Sequence, residues 1–401
     1  MSLEQIRADF PILQNGAVYL DSGATSLTPT PVVEAVTKYY TDYNANIHRG
    51  LYDWSVEATE GYEGAHKTLA AFVNAEHVEE MIFTAGTTSA LNVIASMTTA
   101  NMQPGEEIVT TLLEHHSNFV PWQKAAEAKG LVFKTINVQE DGCLDLEDAK
   151  QKITSKTRVV AFTAVSNALG VLTPIKELCA LAHENGAIAV VDGAQHIPHF
   201  KVDVQDMGCD FYAFSGHKMY GPTGTGGFYA RREHLLNMEP VVFGGDMISE
   251  VTIQASTWNE LPWKFEAGTP HIAGGIGLGV AADYMTSVGL ETIEQHEQDM
   301  TAYALEVFGT LDGVEVYGPT DPLKRIGVVS FGIGGMHPHD VAELLNRKHI
   351  AVRAGHHCAM PLMDHLAIPG TTRASFGIYT SKDDIDALAE AVEYTKSIFT
   401  V

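Results

Sequence analysis

The chain has 401 residues, of which 45% are hydrophobic and 19% are charged. This balance is typical of a folded protein with a sizeable core, and the length allows one large two-domain enzyme or two to three smaller domains. Lys and Arg total 25 against 50 Asp and Glu, which gives a net charge of -25. Nucleic acid and anionic membranes are therefore disfavoured as partners, because both repel an acidic surface.

The N-terminal region has no basic segment followed by an apolar run, and no stretch approaches the roughly 18 apolar residues of a membrane helix. We therefore expect a cytoplasmic protein. The four cysteines are Cys143, Cys179, Cys209 and Cys358. Because no two of them are spaced as Cys-x-x-Cys, we expect no zinc site. Because a chain this long has so few cysteines, we expect no disulfide framework either.

Apolar strands alternate with helical patterns from about residue 80 to residue 230. The predicted strands are 81–84, 108–111, 159–162, 187–191 and 211–214. Such alternation predicts a mostly parallel sheet with helices on both faces. Ligands usually bind where the carboxyl ends of such strands share one edge, so the turns after Thr84, Thr111, Phe162 and Val191 should converge.

The pattern changes after about residue 280. Helical stretches are predicted over 280–311, 339–348 and 382–398, with strands at 327–331 and just before Arg353. This indicates a smaller α+β domain. We expect the N-terminal segment to pack between the two domains, which divides the chain into 1–30, 31–280 and 281–401.

A possible anion site lies at residues 86–89, a Gly-Thr-Thr-Ser stretch that follows a predicted strand and opens a helix. Backbone N–H groups and hydroxyls at such a helix start can bind a phosphate. An ordinary helix cap would have the same sequence.

Lys218 ends the segment 215–218, Ser-Gly-His-Lys, directly after an apolar strand. Burial there would lower the pKa of the amine and suit it to forming a Schiff base with an aldehyde cofactor. A solvated lysine at a strand end is the alternative.

Asp192 also ends a strand, where it could hold a pyridine nitrogen protonated and make the ring an electron sink. Gln195 could then contact the phenolic oxygen of the ring, although Asp192 could equally be a helix cap.

His115 and His116 follow the strand that ends at Thr111. An imidazole at this edge could stack on a flat cofactor and move protons, or it could be purely structural.

Segment 353–358, Arg-Ala-Gly-His-His-Cys, is predicted to be a loop between a strand and a proline turn at Pro361. Its imidazoles, if protonated, would favour a thiolate at Cys358. Arg373 suits bidentate binding of a carboxylate, or else a surface salt bridge.

The sequence resembles the class V aminotransferase superfamily and, within it, the Suf-type or group II cysteine desulfurases, which include selenocysteine lyase-like members. Seven motifs carry the resemblance: LDSGAT (20–25), HRG (48–50), EHHSN (114–118), VDGAQ (191–195), SGHK (215–218), FEAGTP (265–270) and RAGHHC (353–358). They span nearly the whole chain, and the last is the most specific. The chain departs from the family pattern at His271, where asparagine is expected, and at Met360, where glutamine is familiar.

The resemblance implies a fold type I transferase dependent on pyridoxal 5'-phosphate. Its large domain would hold a mostly parallel seven-stranded sheet between helices, and its small C-terminal α+β domain would carry the cysteine loop. The implied cofactor-binding residues are Thr87, Thr88, His115, Asp192, Gln195, Ser215, His217, Lys218 and Thr269, the last reaching across a dimer interface. Asn167 and Arg373 would hold the substrate carboxylate, with Arg353 near the entrance. Lys218, His115 and Cys358 would be catalytic.

The implied reaction converts L-cysteine to L-alanine and leaves the sulfur on Cys358 as a persulfide. The enzyme would be a homodimer with shared active sites, and it would supply iron–sulfur cluster assembly through a sulfur-acceptor protein of the Suf pathway. Selenocysteine lyase activity on L-selenocysteine is the nearest alternative. Another class V aminotransferase, which would have no use for Cys358, and a scaffold that binds no cofactor are the remaining alternatives.

Overall fold

A seven-stranded sheet forms the centre of the protein, whose computed structural model describes residues 1–399. The strands are β1 (Val18–Tyr19), β2 (Met81–Thr84), β3 (Glu107–Thr111), β4 (Val132–Ile136), β5 (Thr157–Thr163), β6 (Ile188–Asp192), β7 (Phe211–Ser215), β8 (Gly226–Ala230), β9 (Ile248–Val251), β10 (Ser256–Trp258), β11 (Val314–Tyr317), β12 (Val328–Ile333), β13 (Ile350–Ala351), β14 (Arg353–Gly355) and β15 (Thr371–Ser375). The helices are α1 (Leu3–Ala8), α2 (Thr30–Asp42), α3 (Asp53–Phe72), α4 (Thr87–Thr99), α5 (Val120–Lys129), α6 (Leu146–Lys152), α7 (Ile175–Glu184), α8 (Val204–Met207), α9 (Arg232–Asn237), α10 (Ile272–Val288), α11 (Leu290–Phe308), α12 (Pro338–Asn346), α13 (Met360–His365) and α14 (Lys382–Phe399).

The central sheet has the strand order β2-β8-β7-β6-β5-β3-β4. Strand β8 pairs antiparallel with both β2 and β7, whereas the remaining neighbours pair parallel. The predicted mostly parallel seven-stranded sheet is therefore confirmed. Strands β2, β3, β5, β6 and β7 all end at the same edge, which brings the segments that follow them together.

Successive residues of the central strands are buried on opposite faces of the sheet. Val160 and Val191 join one hydrophobic cluster, while their neighbours Ala161 and Val190 join another. Helices cover both faces, so each strand needs apolar side chains on both sides. This explains why the strands were visible in the sequence as short continuous apolar runs.

A second sheet, with the order β11-β12-β15-β14, is antiparallel throughout. Its apolar face packs with helices α11, α12 and α14 around Phe331 and Leu388. Within it, Arg373 of β15 lies directly opposite Ser330 on one side and Arg353 on the other. This register brings two predicted site arginines onto neighbouring strands.

The predicted division near residue 280 falls inside α10. That helix packs on α2 and α3, whereas the next helix, α11, packs on α14. The packing partners therefore change at Gly289, which has φ +99°. The division of the chain into 1–30, 31–280 and 281–401 stays a prediction, and Gly289 is the position that the contacts favour for its second boundary.

The N-terminal segment contacts both the small sheet and the turn that follows β7. Strand β1 pairs parallel with β13, and Asp21 forms a bridge with Ser375. A few residues later, the Ser26 N–H donates to the carbonyl oxygen of His217 at 2.9 Å. Residues 21–26 therefore run between the strand that carries Arg373 and the turn that carries Lys218. Among the described residues, no helix is both long enough and apolar enough to cross a membrane.

Candidate active site

A cavity of about 240 Å³ opens at the carboxyl edge of the central sheet. It is lined by the predicted site residues Thr87, Thr88, His115, Asn167, Asp192, Gln195, Ser215, His217, Lys218, Arg353, Cys358 and Arg373. Thr269 is the one predicted site residue that does not line it. Gly23, Ser117 and His357 also contribute to the wall.

Lys218 ends a short 3-10 segment, Gly216–Lys218, directly after β7. The turn is tight, because a Cβ at Gly216 would lie 2.6 Å from the Thr225 hydroxyl. The amine makes no hydrogen bond within the described part of the chain, and burial lowers its pKa to about 8 despite the attraction of Asp192. A lysine of this kind is partly a neutral nucleophile at neutral pH.

Asp192 ends β6 and is buried, with its Oδ1 accepting from the Ala194 N–H at 3.0 Å. Burial raises the pKa of this carboxyl, and the Ala194 N–H and the Lys218 charge oppose that rise. The next residue must be small, since a Cβ at Gly193 would lie 2.0 Å from the Tyr212 ring. Asp192 is thereby held at the cavity wall near Lys218.

Gln195 lies on the same wall as Asp192. Its Nε2 donates to the Gly23 carbonyl oxygen at 2.7 Å. This bond fixes the amide against the N-terminal segment. The second donor and the amide oxygen have no hydrogen-bond partner among residues 1–399, so both remain for a ligand.

His115 is neutral at physiological pH. Its Nδ1 accepts from the Ser117 N–H at 3.1 Å, so the ring proton is on Nε2. Burial, aided by the nearby Lys218 charge, lowers the pKa of the ring to about 3. The ring can therefore stack on a flat ligand or accept a proton late in a reaction, but it carries no charge in the resting protein.

Glu114, beside His115, was missed by the sequence reasoning. Its carboxyl is fully buried and accepts from Thr111 Oγ1 at 2.5 Å, Asn118 Nδ2 at 2.6 Å and the Thr163 N–H at 3.0 Å. Burial raises its pKa to about 8. It ties the segment that carries His115 to β3 and β5. The sequence offers one signal for this role, since Glu114 directly precedes the predicted site residue His115.

The candidate phosphate site lies where α4 begins. Gly86 has φ +134°, and the Thr87 N–H and Oγ1 each contact Ser215 Oγ at 2.8 Å. Thr88 Oγ1 lies 2.7 Å from Ser117 Oγ. Together the helix N-terminus and this ring of hydroxyls suit an anion. His217 adds a neutral ring, since burial lowers its pKa to about 4.

Arg373 is buried, which is inconsistent with the alternative of a surface salt bridge. Its NH1 donates to the Asn167 carbonyl oxygen at 2.8 Å and its NH2 to Asp21 Oδ1 at 3.1 Å. Three buried polar atoms here have no hydrogen-bond partner among the described residues: Asn167 Oδ1, His357 Nδ1 and Arg373 Nε. Such unpaired groups are costly unless a ligand satisfies them. A donor and two acceptors on one wall suit a small molecule with a carboxylate and an amine.

The cysteine loop places an exposed thiol at the cavity rim. His357 and Cys358 both adopt left-handed backbone angles, with φ +50° and +56°. Asn167 Nδ2 holds the loop by donating to the His357 carbonyl oxygen at 2.6 Å. Pro361 does not close a turn as predicted. It lies in the first turn of α13, where a missing N–H costs nothing.

The expected support of a Cys358 thiolate by protonated imidazoles does not come from His357. Burial and the Arg373 charge lower the pKa of that ring to about 3, so it is neutral. The cations that interact electrostatically with Cys358 are instead Lys218, Arg353 and Arg373.

Thr269 is exposed and lies outside the cavity, in the stretch just before α10. A single chain does not bring it to the other site residues. The neighbouring departure from the family pattern, His271, caps α10 by accepting from the Gly274 N–H at 3.4 Å. It fills the cap position with an acceptor, as asparagine would.

Comparison with known proteins supports the resemblance seen in the motifs. The family model for class-V aminotransferases matches residues 18–388. A "Probable cysteine desulfurase" of Halalkalibacterium halodurans is 52% identical over 100% of this chain and 99% of its own length. A protein of the same name from Halobacterium salinarum is 48% identical over 100% of this chain and 98% of its own length.

Solved structures give the same result. A cysteine desulfurase from Thermococcus onnurineus NA1 matches with a TM-score of 0.95 and 44% identity, covering 98% of each chain. The cysteine desulfurase CsdA from Escherichia coli matches with a TM-score of 0.93 and 36% identity, covering 99% of each chain. These likenesses confirm the predicted fold. The chain belongs to the class-V aminotransferase family.

Proposed function

We propose that this protein is a cysteine desulfurase dependent on pyridoxal 5'-phosphate, which converts L-cysteine to L-alanine and leaves the sulfur on Cys358. The observation that carries the proposal is that the Lys218 amine, the Arg373 guanidinium and the Cys358 thiol share one cavity. Cofactor, substrate carboxylate and sulfur would each have a partner there. The full-length relatives named cysteine desulfurase support the same reaction.

The residues of the cavity fit the cofactor. Thr87, Thr88, Ser215 and His217 surround the start of α4, where a phosphate would bind. Asp192 would pair with the ring nitrogen, Gln195 with the phenolic oxygen and His115 with the ring face, while Lys218 would hold the aldehyde carbon. When bound, the cofactor supplies an electron sink that makes the substrate's α-proton acidic and its carbon–sulfur bond labile.

The substrate carboxylate would bind Arg373, whose Nε is a buried donor without a partner among the described residues. The unpartnered atom of Asn167 is the acceptor Oδ1, because its Nδ2 donates to the His357 carbonyl oxygen, so Asn167 would bind the amine of the substrate rather than the carboxylate that the resemblance implies. Lys218 would then take the α-proton, since a pKa of about 8 leaves part of the amine neutral near pH 7. Neutral His115 is available to pass a proton between the substrate and solvent.

Sulfur transfer would use the Cys358 thiolate. Its sulfur attacks the substrate sulfur, so a sulfur–sulfur bond forms while the carbon–sulfur bond breaks. The electron pair of the broken bond stays with the substrate carbon, and a proton completes the methyl group of alanine. In sum, L-cysteine and the Cys358 thiol give L-alanine and a persulfide, with no outside oxidant or reductant.

We further propose a homodimer in which Thr269 of one copy completes the phosphate site of the other. Thr269 is exposed, as are the large apolar residues Leu51, Trp54, Phe243 and Ile253. A second copy would cover such side chains. Mixing two inactive variants, Lys218→Ala and Thr269→Ala, should restore activity if sites are shared, whereas a monomeric site predicts no recovery.

The exposed thiol would pass its sulfur to an acceptor protein, and we propose that this protein belongs to the Suf pathway of iron–sulfur cluster assembly. The RAGHHC motif at 353–358 supports this subgroup. We place the enzyme in the cytoplasm, because Cys358 must remain a free thiol and a reducing compartment maintains it.

Mass spectrometry after incubation of the cofactor-loaded enzyme with L-cysteine tests the proposal. We expect the mass of one added sulfur atom on Cys358, and alanine in the solution. Cys358→Ser should keep the cofactor but form no persulfide. Cys143→Ser is the matched control, because burial raises the pKa of that thiol to about 11 and leaves it unreactive. Full desulfurase activity of Cys358→Ser would refute the nucleophile.

The Cys358→Ser variant, assayed on both substrates, separates the nearest alternative. Selenium can leave without an attacking thiol, so a selenocysteine lyase would retain turnover of L-selenocysteine in Cys358→Ser. A desulfurase loses turnover of L-cysteine in that variant. Transfer of the amino group to an added keto acid would instead indicate an aminotransferase.

A further inference from the structure

The ring of His357 forms part of the cavity wall and has one nitrogen left for a ligand. Its Nε2 lies 3.1 Å from the Thr371 carbonyl oxygen and 2.8 Å from Thr371 Oγ1. A carbonyl oxygen can only accept, so Nε2 carries the proton of the neutral ring. Nδ1 is therefore an acceptor, and this buried atom has no hydrogen-bond partner among the described residues.

Asn167 supplies a second acceptor beside this ring. Its Nδ2 donates to the His357 carbonyl oxygen at 2.6 Å, which fixes the orientation of the amide and leaves Oδ1 unpartnered within the described part of the chain. The Asn167 carbonyl oxygen accepts from Arg373 NH1 at 2.8 Å. His357 and Asn167 are each 6% exposed and Arg373 is 2% exposed, so hydrogen bonds join three buried residues into one wall.

The unpartnered atoms of this wall match the polar groups of an α-amino acid. Arg373 Nε can donate to one carboxylate oxygen. A neutral amine has two N–H donors and one lone pair, so Asn167 Oδ1 and His357 Nδ1 would accept both donors and leave the lone pair free to form a bond. The S–H of a thiol is a weaker donor and a poorer match for a buried nitrogen. Because unpaired buried acceptors are costly, the amine is the favoured occupant.

We propose that His357 Nδ1, together with Asn167 Oδ1, receives the amine of the incoming substrate, and that the site thereby selects α-amino acids over acids that lack the amine. This inference rests on the proposed function. His357 is then a specificity-determining residue as well as the neighbour of the nucleophile. A site whose buried groups pair with a substrate rejects an analogue that leaves those groups unpaired.

Ligand binding to enzyme whose cofactor has been fixed on Lys218 with borohydride tests this inference, because no ligand can then exchange with the lysine. L-alanine and propionate differ only in the amine. The ratio of their dissociation constants, followed by the fluorescence of the fixed cofactor, is the readout. In the native protein we expect L-alanine to bind more tightly than propionate by about tenfold or more. Equal affinities in the native protein would overturn the inference without any variant.

Two substitutions at position 357 separate the two ring nitrogens. His357→Gln keeps a donor for Thr371 and removes the Nδ1 acceptor, so the preference for L-alanine should fall by about tenfold. His357→Asn instead places an amide oxygen near the position of Nδ1 and should keep the preference. A native ratio in folded His357→Gln would contradict the inference. If His357→Gln does not fold, loss of the preference in folded His357→Asn would contradict it instead.

A third ligand, 3-mercaptopropionate, is cysteine without its amine and tests whether the ring receives the thiol. An effect of His357→Gln on 3-mercaptopropionate relative to propionate, with the L-alanine ratio unmoved, would assign Nδ1 to the thiol and overturn the inference. Failure of the native, unreduced enzyme to desulfurate L-cysteine is a separate result, which would overturn the proposed function.

Discussion

His116 holds Cys358 in place from the neighbouring loop. The His116 N–H donates to the carbonyl oxygen of Cys358 at 2.7 Å, and the His116 ring Nε2 accepts from the Met360 N–H at 3.2 Å. The cysteine loop, with its left-handed residues, is therefore anchored to the segment that carries His115. The two loops come from different sheets, so this contact aligns the sulfur acceptor with the rest of the site.

Replacing His116 by alanine removes the ring contact and keeps the backbone contact. We expect turnover of L-cysteine to fall about tenfold or more, because a small displacement of an attacking atom is costly. The cofactor absorbance should be unchanged. The exposed His365 on α13 serves as the control, and His365→Ala should behave as the native enzyme. Native turnover in His116→Ala would mean that the backbone bond alone positions the loop.

The pKa of about 8 at Lys218 predicts how the protein takes up its cofactor. Only the neutral amine attacks an aldehyde, so the rate of loading cofactor-free protein should rise with pH and level off above about pH 8. Two pH units below the pKa only about 1% of the amine is neutral, so loading near pH 6 should be roughly a hundredfold slower.

Loading is followed by absorbance, and reduction with borohydride should fix the adduct on Lys218 in peptide mass spectra. Lys218→Ala should yield no fixed adduct, whereas a variant of the exposed Lys201 should label normally. A plateau reached only above pH 10 would show that the amine has an ordinary pKa.

Glu114 makes stability depend on pH. Its folded-state pKa of about 8 lies above the unfolded value of about 4.3, so the folded protein keeps a proton that the unfolded chain releases. The contribution of protonated Glu114 to the free energy of unfolding is complete below about pH 4.3, and it is lost as the pH rises to about 8. In Glu114→Gln, which cannot ionise, this loss is absent.

We therefore expect the free energy of unfolding of Glu114→Gln, relative to the native protein, to rise between about pH 5 and about pH 8. The gain should approach, at most, roughly 1.4 kcal/mol per pH unit. Urea unfolding of the cofactor-free proteins measures it, and Glu177→Gln at an exposed position is the control. Parallel stability curves for the native protein and Glu114→Gln would show that Glu114 is ionised in the fold.

Gly193 has no room for a side chain, because an added Cβ would lie 2.0 Å from Tyr212 Cζ. Gly193→Ala should lower the free energy of unfolding by about 1 to 3 kcal/mol through overpacking. It should also weaken cofactor binding, since Asp192 is the preceding residue. Gly64→Ala is the contrasting control. Nothing lies within 4 Å of its Cβ position within helix α3, so this change should stabilise by about 0.5 to 1 kcal/mol. Equal stability of the two variants would contradict the packing argument.

Much of the candidate site could be predicted because parallel strands end at one edge. Lys218, Asp192 and His115 each follow a strand that was visible as a short apolar run, and they line one cavity. Their roles stay predictions. The mostly parallel sheet itself was predicted correctly for the same reason.

Other features depend on contacts between distant parts of the chain. Asp21 meets Arg373 because it forms a bridge with Ser375 at the end of β15, and no spacing in the sequence records that pairing. The change of packing partners at Gly289 was also not visible, since α10 and α11 are both helices and only their partners differ. The sequence predicts a turn at Pro361, whereas the structure has it in the first turn of α13, a position that suits proline equally well.

Cys358 stands at the rim while Lys218 lies deep in the fold. Abstraction of the α-proton by Lys218 and release of the sulfur from Cys358 would therefore occur at two depths of the same cavity. The proposed sulfur-acceptor protein would need to contact only Cys358 at the rim of the cavity. The cofactor on Lys218 would then stay shielded from water while the sulfur is transferred.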